Sequence, residues 1–219
     1  MPSFVASFGH IKFCTVAMKP PKLPSMPKKE VKKEQAAPKP KPAEEKKPEP
    51  VKKDGPLSQK ELDLLPPSPW NFFDFKTLMV NHKDKAGGGM EALKKQFDPD
   101  GYQFWFIHYD KYGKEGTVLY QTENLMRGFL QRFDHFRKHV LARVCILNEE
   151  PDLEIEGVWC FRGKELPLEL IEHSQFEFYQ PRKIDINDPK DFQLIREFWS
   201  AEVGGTANGM KIQSVVWHK

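Results

Sequence analysis

From residue 57 onward the apolar positions recur with the periods of secondary structure; before it they do not. Residues 102–109 read Tyr-Gln-Phe-Trp-Phe-Ile-His-Tyr, apolar on both faces, and predict a buried central strand. Residues 112–116 predict a hairpin turn after it, and residues 117–121 the returning strand. At Leu125 a helical period takes over. At about 100° per residue, Leu125, Phe136, Phe129, Phe133, Met126 and Leu130 fall within an arc of about 140°. Arg127, Gln131, Asp134, His135 and Lys138 fill the opposite side, and Thr122 is the expected N-cap.

Two period-2 segments follow. In residues 139–147, Val140, Ala142, Val144 and Ile146 share a face. In residues 154–162, Ile155, Gly157, Trp159 and Phe161 alternate with Glu154, Glu156, Val158, Cys160 and Arg162. Residues 148–152 join them as a hairpin loop. Glu154, Glu156 and Glu165 read as solvated positions. Residues 175–179 predict a further strand.

Asp188 followed by Pro189 and Asp191 predicts an N-capped last helix, with Phe192, Ile195, Phe198 and Trp199 on its buried face. Gly204-Gly205 stops it. Upstream, the Pro-rich residues 64–69 form an extended lead-in. Residues 70–80 predict a short helix, the glycines at 87–89 a break, and residues 90–97 another turn or two. Together these elements predict the α+β class: a mostly antiparallel β-sheet packed with α-helices.

Composition divides the 219 residues into three. Residues 19–56 carry twelve Lys, six Asp or Glu, ten Pro and no aromatic side chain. Such a segment buries too little apolar surface to offset its ordering entropy, so a disordered Lys/Pro-rich linker is expected. Residues 1–18 are apolar and too short to fold alone; they read as the end of a domain whose body lies upstream. Residues 57–219 form the main domain. They carry 21 basic and 25 acidic side chains, a net −4, against +6 for the linker and +1 for residues 1–18. The excess positive charge thus belongs to the tail and gives no support for a basic nucleic-acid-binding domain.

No run approaches the roughly eighteen apolar residues of a membrane helix. Cys14, Cys145 and Cys160 are an odd, sparse set, unlike a secreted disulfide framework, so a reducing cytoplasmic setting is expected. Cys145 and Cys160 fall on neighbouring predicted strands and read as small buried hydrophobes.

The chain has no Cys-x-x-Cys, no His-Glu-x-x-His, no Walker or dinucleotide glycine spacing and no nucleophile elbow. The expectation is a non-enzyme with no metal and no cofactor. One charge feature stands out. Residues 127–143 hold Arg127, Arg132, Arg137, Lys138 and Arg143 with Phe129, Phe133 and Phe136 interleaved. The helical wheel assigns the phenylalanines to the core, leaving a basic outer face, read either as solvated surface or as a contact for an acidic protein or RNA phosphate.

Three blocks carry a family resemblance: Asp98-Pro99-Asp100-Gly101-Tyr102-Gln103-Phe104-Trp105, Asn124-Leu125-Met126-Arg127-Gly128-Phe129-Leu130-Gln131-Arg132-Phe133, and Gly157-Val158-Trp159-Cys160-Phe161-Arg162-Gly163-Lys164-Glu165-Leu166. With the Lys/Pro linker, they resemble the conserved C-terminal domain of the elongation factor 1-gamma family over residues 57–219. Phe8-Gly9-His10-Ile11-Lys12-Phe13-Cys14 resembles the end of that family's glutathione-transferase-like domain.

The resemblance implies a non-catalytic scaffold subunit in the translation elongation factor 1 complex, supporting GTP recharging of elongation factor 1-alpha. Its implied partners are the exchange-factor subunits and elongation factor 1-alpha, with self-association left open. Arg127, Arg132, Lys138 and Arg162 are the expected partner-binding residues. One alternative is an RNA- or ribosome-binding protein using the basic tail and helix face. The other is a glutathione-dependent transferase, disfavoured because this chain holds only the end of that fold.

Overall fold

A computed structural model describes residues 55–219. The expected remnant at residues 1–18 and the expected linker up to residue 54 lie outside the described residues.

Six antiparallel strands form one sheet: β1 (Tyr102–Tyr109), β2 (Val140–Leu147), β3 (Glu154–Arg162), β4 (Tyr179–Ile184), β5 (Thr206–Ala207) and β6 (Met210–His218). Their order is β4-β1-β3-β2-β6-β5. Helices cover both faces, which fits the expected α+β class. The β2–β3 hairpin runs in register from Val140 opposite Phe161 to Leu147 opposite Glu154. Period-2 alternation puts Val140, Ala142, Val144 and Ile146 on one face and Leu141, Cys145 and Leu147 on the other.

On the first face sit α1 (Gln59–Asp63), α4 (Leu119–Arg132) and α5 (Leu168–Ile171), with 3-10 turns at Asp134–His139 and Ser174–Phe178. Met126, Phe129 and Leu130 of α4, with Phe133 and Phe136, pack on Trp159, Phe161 and Tyr179. On the second face sit α2 (Phe72–Asn81), α3 (Met90–Gln96) and α6 (Pro189–Trp199). Phe75, Met79, Leu93, Phe198 and Trp199 pack there on Phe104, Val158 and Cys160. Trp199 is fully buried, and its indole N–H donates to the Val158 carbonyl at 3.1 Å.

Several expectations needed correction. Residues 117–121 are not a returning strand: Thr117 and Val118 lead into α4, which starts at Leu119. Thr122 is therefore inside the helix, its hydroxyl donating to the Val118 carbonyl at 2.9 Å. The carboxylate of Glu150, in the distant β2–β3 loop, accepts from the Leu119 N–H at 2.5 Å. The glycines at 87–89 do not break the chain. Lys85–Gly89 is a π-helical turn running directly into α3, with the Asp84 carboxylate accepting from the Gly87 and Gly88 N–H groups at 2.9 and 3.2 Å. Residues 175–178 form a 3-10 turn, and the strand begins only at Tyr179. Glu156 is buried rather than solvated. Finally β6, which the sequence reading did not identify, pairs along β2 from Leu147 to Ala142.

Trp199→Ala should destabilise the domain by about 3–5 kcal/mol in urea unfolding, because it empties a site between α6 and the sheet. Phe73→Ala, at a side chain 75% exposed, should change stability by no more than about 0.5 kcal/mol. Burial holds His218 down to about 4 from its ordinary 6.5. Between those values the unfolded chain binds the extra proton, so stability is present above pH 6.5 and falls on acidification towards pH 4. Urea midpoints across that range should decline, with a shallower slope in His218→Gln; an unchanged slope would remove His218 from the account.

Candidate partner-binding surface

The basic stretch at 127–143 is distributed over three elements rather than one helix face. Arg127 and Arg132 lie exposed on α4, with Arg132 donating to the Gln175 side-chain carbonyl. The helix ends there, so Arg137 and Lys138 fall on the 3-10 turn. Arg137 pairs with Asp134 at 2.9 Å and donates to the Lys219 carbonyl at 3.0 Å. The Lys138 side chain, 72% exposed, pairs with Asp63 of α1 at 2.5 Å. That lysine, foremost, holds the Asp63 carboxyl below the usual carboxylate range. His139 Nε2 shares the same carboxylate at 3.0 Å. Arg143, on β2, is buried. It stacks over Trp217 at 4.4 Å and donates to the Ala201 carbonyl.

Arg162 is the clearest departure from the expected set. It is 8% exposed at the end of β3. Its guanidinium donates to the Pro66 carbonyl and lies over the Tyr102 ring at 4.9 Å. A Cβ at position 101 would stand 2.6 Å from its Nη1, so Gly101 leaves the room the guanidinium occupies. Arg162 thus fastens the Pro-rich lead-in to the sheet. The structure leaves Arg127, Arg132 and Lys138 on the surface of the α1–α4 side and places Arg162 inside.

The elements on this side of the sheet also expose apolar side chains: Tyr120 at the start of α4 is 63% exposed, and Ile171 and Phe178 are partly exposed.

Other chemistry-bearing groups are absorbed by packing. Cys145 and Cys160 are fully buried on the α2–α6 face, and burial pushes the Cys145 thiol up to about 12 and Cys160 well above its ordinary value. Thiols so held are poor nucleophiles. Lys76 reaches inward from α2. Its Nζ donates to the Arg137 carbonyl at 2.5 Å, and burial lowers it to about 8.

His108 on β1 stands among three carboxylates, 3.2 Å from Glu156, 3.7 Å from Asp110 and 3.8 Å from Glu154. Glu156 also accepts from the Asn208 side-chain N–H at 3.0 Å. Among the described residues no group of three or more His, Cys, Asp or Glu side chains could hold a metal ion. An open cleft of about 380 Å³ between α6 and the β5–β6 hairpin is lined by Arg196, Glu197, Ser200 and Glu202. The Ser200 hydroxyl there donates to the Arg196 carbonyl at 2.7 Å. No described helix is long and apolar enough to cross a membrane.

Residues 57–165 match the family described as "Elongation factor 1 gamma, conserved domain". The chain is similar to the probable elongation factor 1-gamma 1 of Arabidopsis thaliana, 36% identical over 195 residues, which are 85% of this chain and 46% of that protein. It is similar to elongation factor 1-gamma of Prunus avium, 36% identical over 144 residues, 65% of this chain and 34% of that protein. Elongation factor 1-gamma of Drosophila melanogaster is 33% identical over 147 residues, 66% of this chain and 33% of that protein. The chain spans about half or less of the length of these curated relatives.

The contrast between buried and exposed arginines can be measured. Arg162→Ala should cost about 2–3 kcal/mol in denaturant unfolding, since it leaves the Pro66 carbonyl without its charged donor. Arg127→Ala, with an exposed side chain, should lie within about 0.5 kcal/mol of the parent.

Proposed function

The chain belongs, through its conserved domain, to the elongation factor 1-gamma family, and from that premise we propose that it is a non-catalytic interaction subunit of the translation elongation factor 1 complex. The family match over residues 57–165 carries this reading. In it, the domain acts in the cytoplasm. It helps hold the exchange-factor subunits near elongation factor 1-alpha, so that the latter is recharged with GTP.

The exposed basic groups Arg127, Arg132 and Lys138 are the contact points for an acidic partner, with the half-exposed apolar side chains beside them supplying burial. Arg162 contributes through the lead-in it anchors. The domain's net charge of −4 leaves this patch as a local feature, suited to orienting a partner more than to holding a polyanion. The twelve lysines of residues 19–56 favour a second contact, with ribosomal or other RNA, through the tail.

The test is co-purification. The tagged chain, expressed in its source cells, should bring down elongation factor 1 subunits. Arg127→Glu with Lys138→Glu should reduce their recovery several-fold while the circular dichroism and melting temperature stay near the parent's. Unchanged recovery would move the contact to another face. Absence of elongation factors from the parent pull-down would overturn the complex itself.

A further inference from the structure

The two edges of the sheet are built differently. The outer strand β4 carries Pro181, Arg182 and Lys183 at exposed positions. Proline lacks the donor, and charged side chains resist burial, so this edge is blunted against strand addition. At the other side, β5 is only two residues long and pairs with Met210 and Lys211 alone. Beyond it, Ile212 exchanges backbone bonds with Gly204 and Gly205. From Gln213 to Trp217 the outer edge of β6 meets no further backbone partner among the described residues. That stretch contains no proline and no charge, and Val215, Val216 and Trp217 are half-buried on it.

The direction of the free groups can be worked out. The Asn148 N–H donates to the Lys211 carbonyl at 2.8 Å, so alternate positions of β2, namely Ile146, Val144 and Ala142, also turn towards β6. Their register partners Ser214, Val216 and His218 answer inward. Val215 and Trp217 therefore present their N–H and C=O groups outward, as an unused antiparallel ladder.

We propose that this edge joins two copies of the chain, antiparallel, about a two-fold axis at Val216. An antiparallel edge is complementary to itself in backbone terms, which a two-fold interface requires. Side chains select the register. With the axis at Val216, Val215 of each copy faces Trp217 of the other, a favourable β-branched–aromatic pair. Ser214 then faces His218, and Gln213 faces Lys219. With the axis one residue earlier, at Val215, Lys211 would face Lys219 on both sides, and like charges directly opposite are unfavourable. A single-strand contact is small, so the association is weak and depends on concentration.

The experiment uses the full chain with Cys14→Ser; Cys145 and Cys160 are buried. Sedimentation velocity should show the mass rising from monomer towards dimer with concentration. Val216→Cys places two thiols across the axis. Under oxidised glutathione it should form a covalent dimer at least tenfold faster than Val215→Cys, whose thiol faces Trp217. Val215→Pro removes one outward donor without touching the β2 ladder and should sediment as monomer. If that variant fails to fold, the cysteine pair decides. A parent chain that stays monomeric at every concentration overturns the proposal. So does Val215→Cys cross-linking faster than Val216→Cys.

Discussion

All eight residues of β2 are buried, and so are eight of the nine in β3. A strand pair with no solvent side needs a helical layer on each face, and every other element is placed by that requirement. The α4 layer and the α2–α6 layer pack on opposite faces of the sheet, and the Lys76 side chain of α2 reaches past it to the Arg137 carbonyl. Hence β2 and β3 are rich in branched, aromatic and small apolar side chains on both faces, with Gly157 where an added Cβ would stand 3.0 Å from the Arg143 carbonyl.

Burial on both faces also strands polar groups, and their pairing ties distant segments together. Trp199 reaches from α6 to the Val158 carbonyl, Lys76 from α2 to the Arg137 carbonyl, and Arg162 from β3 to the Pro66 carbonyl. Each such group, left alone, would cost its desolvation free energy, so the pairings fix how the helices sit on the sheet. For this reason the family-like blocks contain more packing residues than contact residues. Gly101, Tyr102 and Arg162 form one structural contact, not a surface.

What remains outside is a surface of modest chemistry. Among the described residues the two cysteines are buried and several surface carboxylates are ion-paired, for instance Asp63 with Lys138 and Asp191 with Arg182. Such a surface suits binding to other macromolecules through basic side chains, half-exposed aromatics and sheet edges.

Sequence alone determined the elements whose signals are local. β2 and β3 were legible from the period-2 grouping of their branched, small and aromatic residues, and their loop from Asn148, Pro151 and Asp152. The last helix was legible because Asp188 caps it at the Lys190 N–H, 2.8 Å away, with Pro189 at its first position. The buried arc of α4 was legible from its period. Tertiary structure decided the rest. The start of α4 was misread because its first N–H is satisfied by Glu150, thirty-one residues away, so no local cap marks it. β6 went unseen because its identity as a strand comes from pairing with β2. Arg162 was grouped with the contact residues because it lies in a family-like block, whereas its burial depends on the lead-in that closes over it. Periodicity reports what a segment buries; only the folded chain decides what covers it, since the covering groups come from far along the sequence.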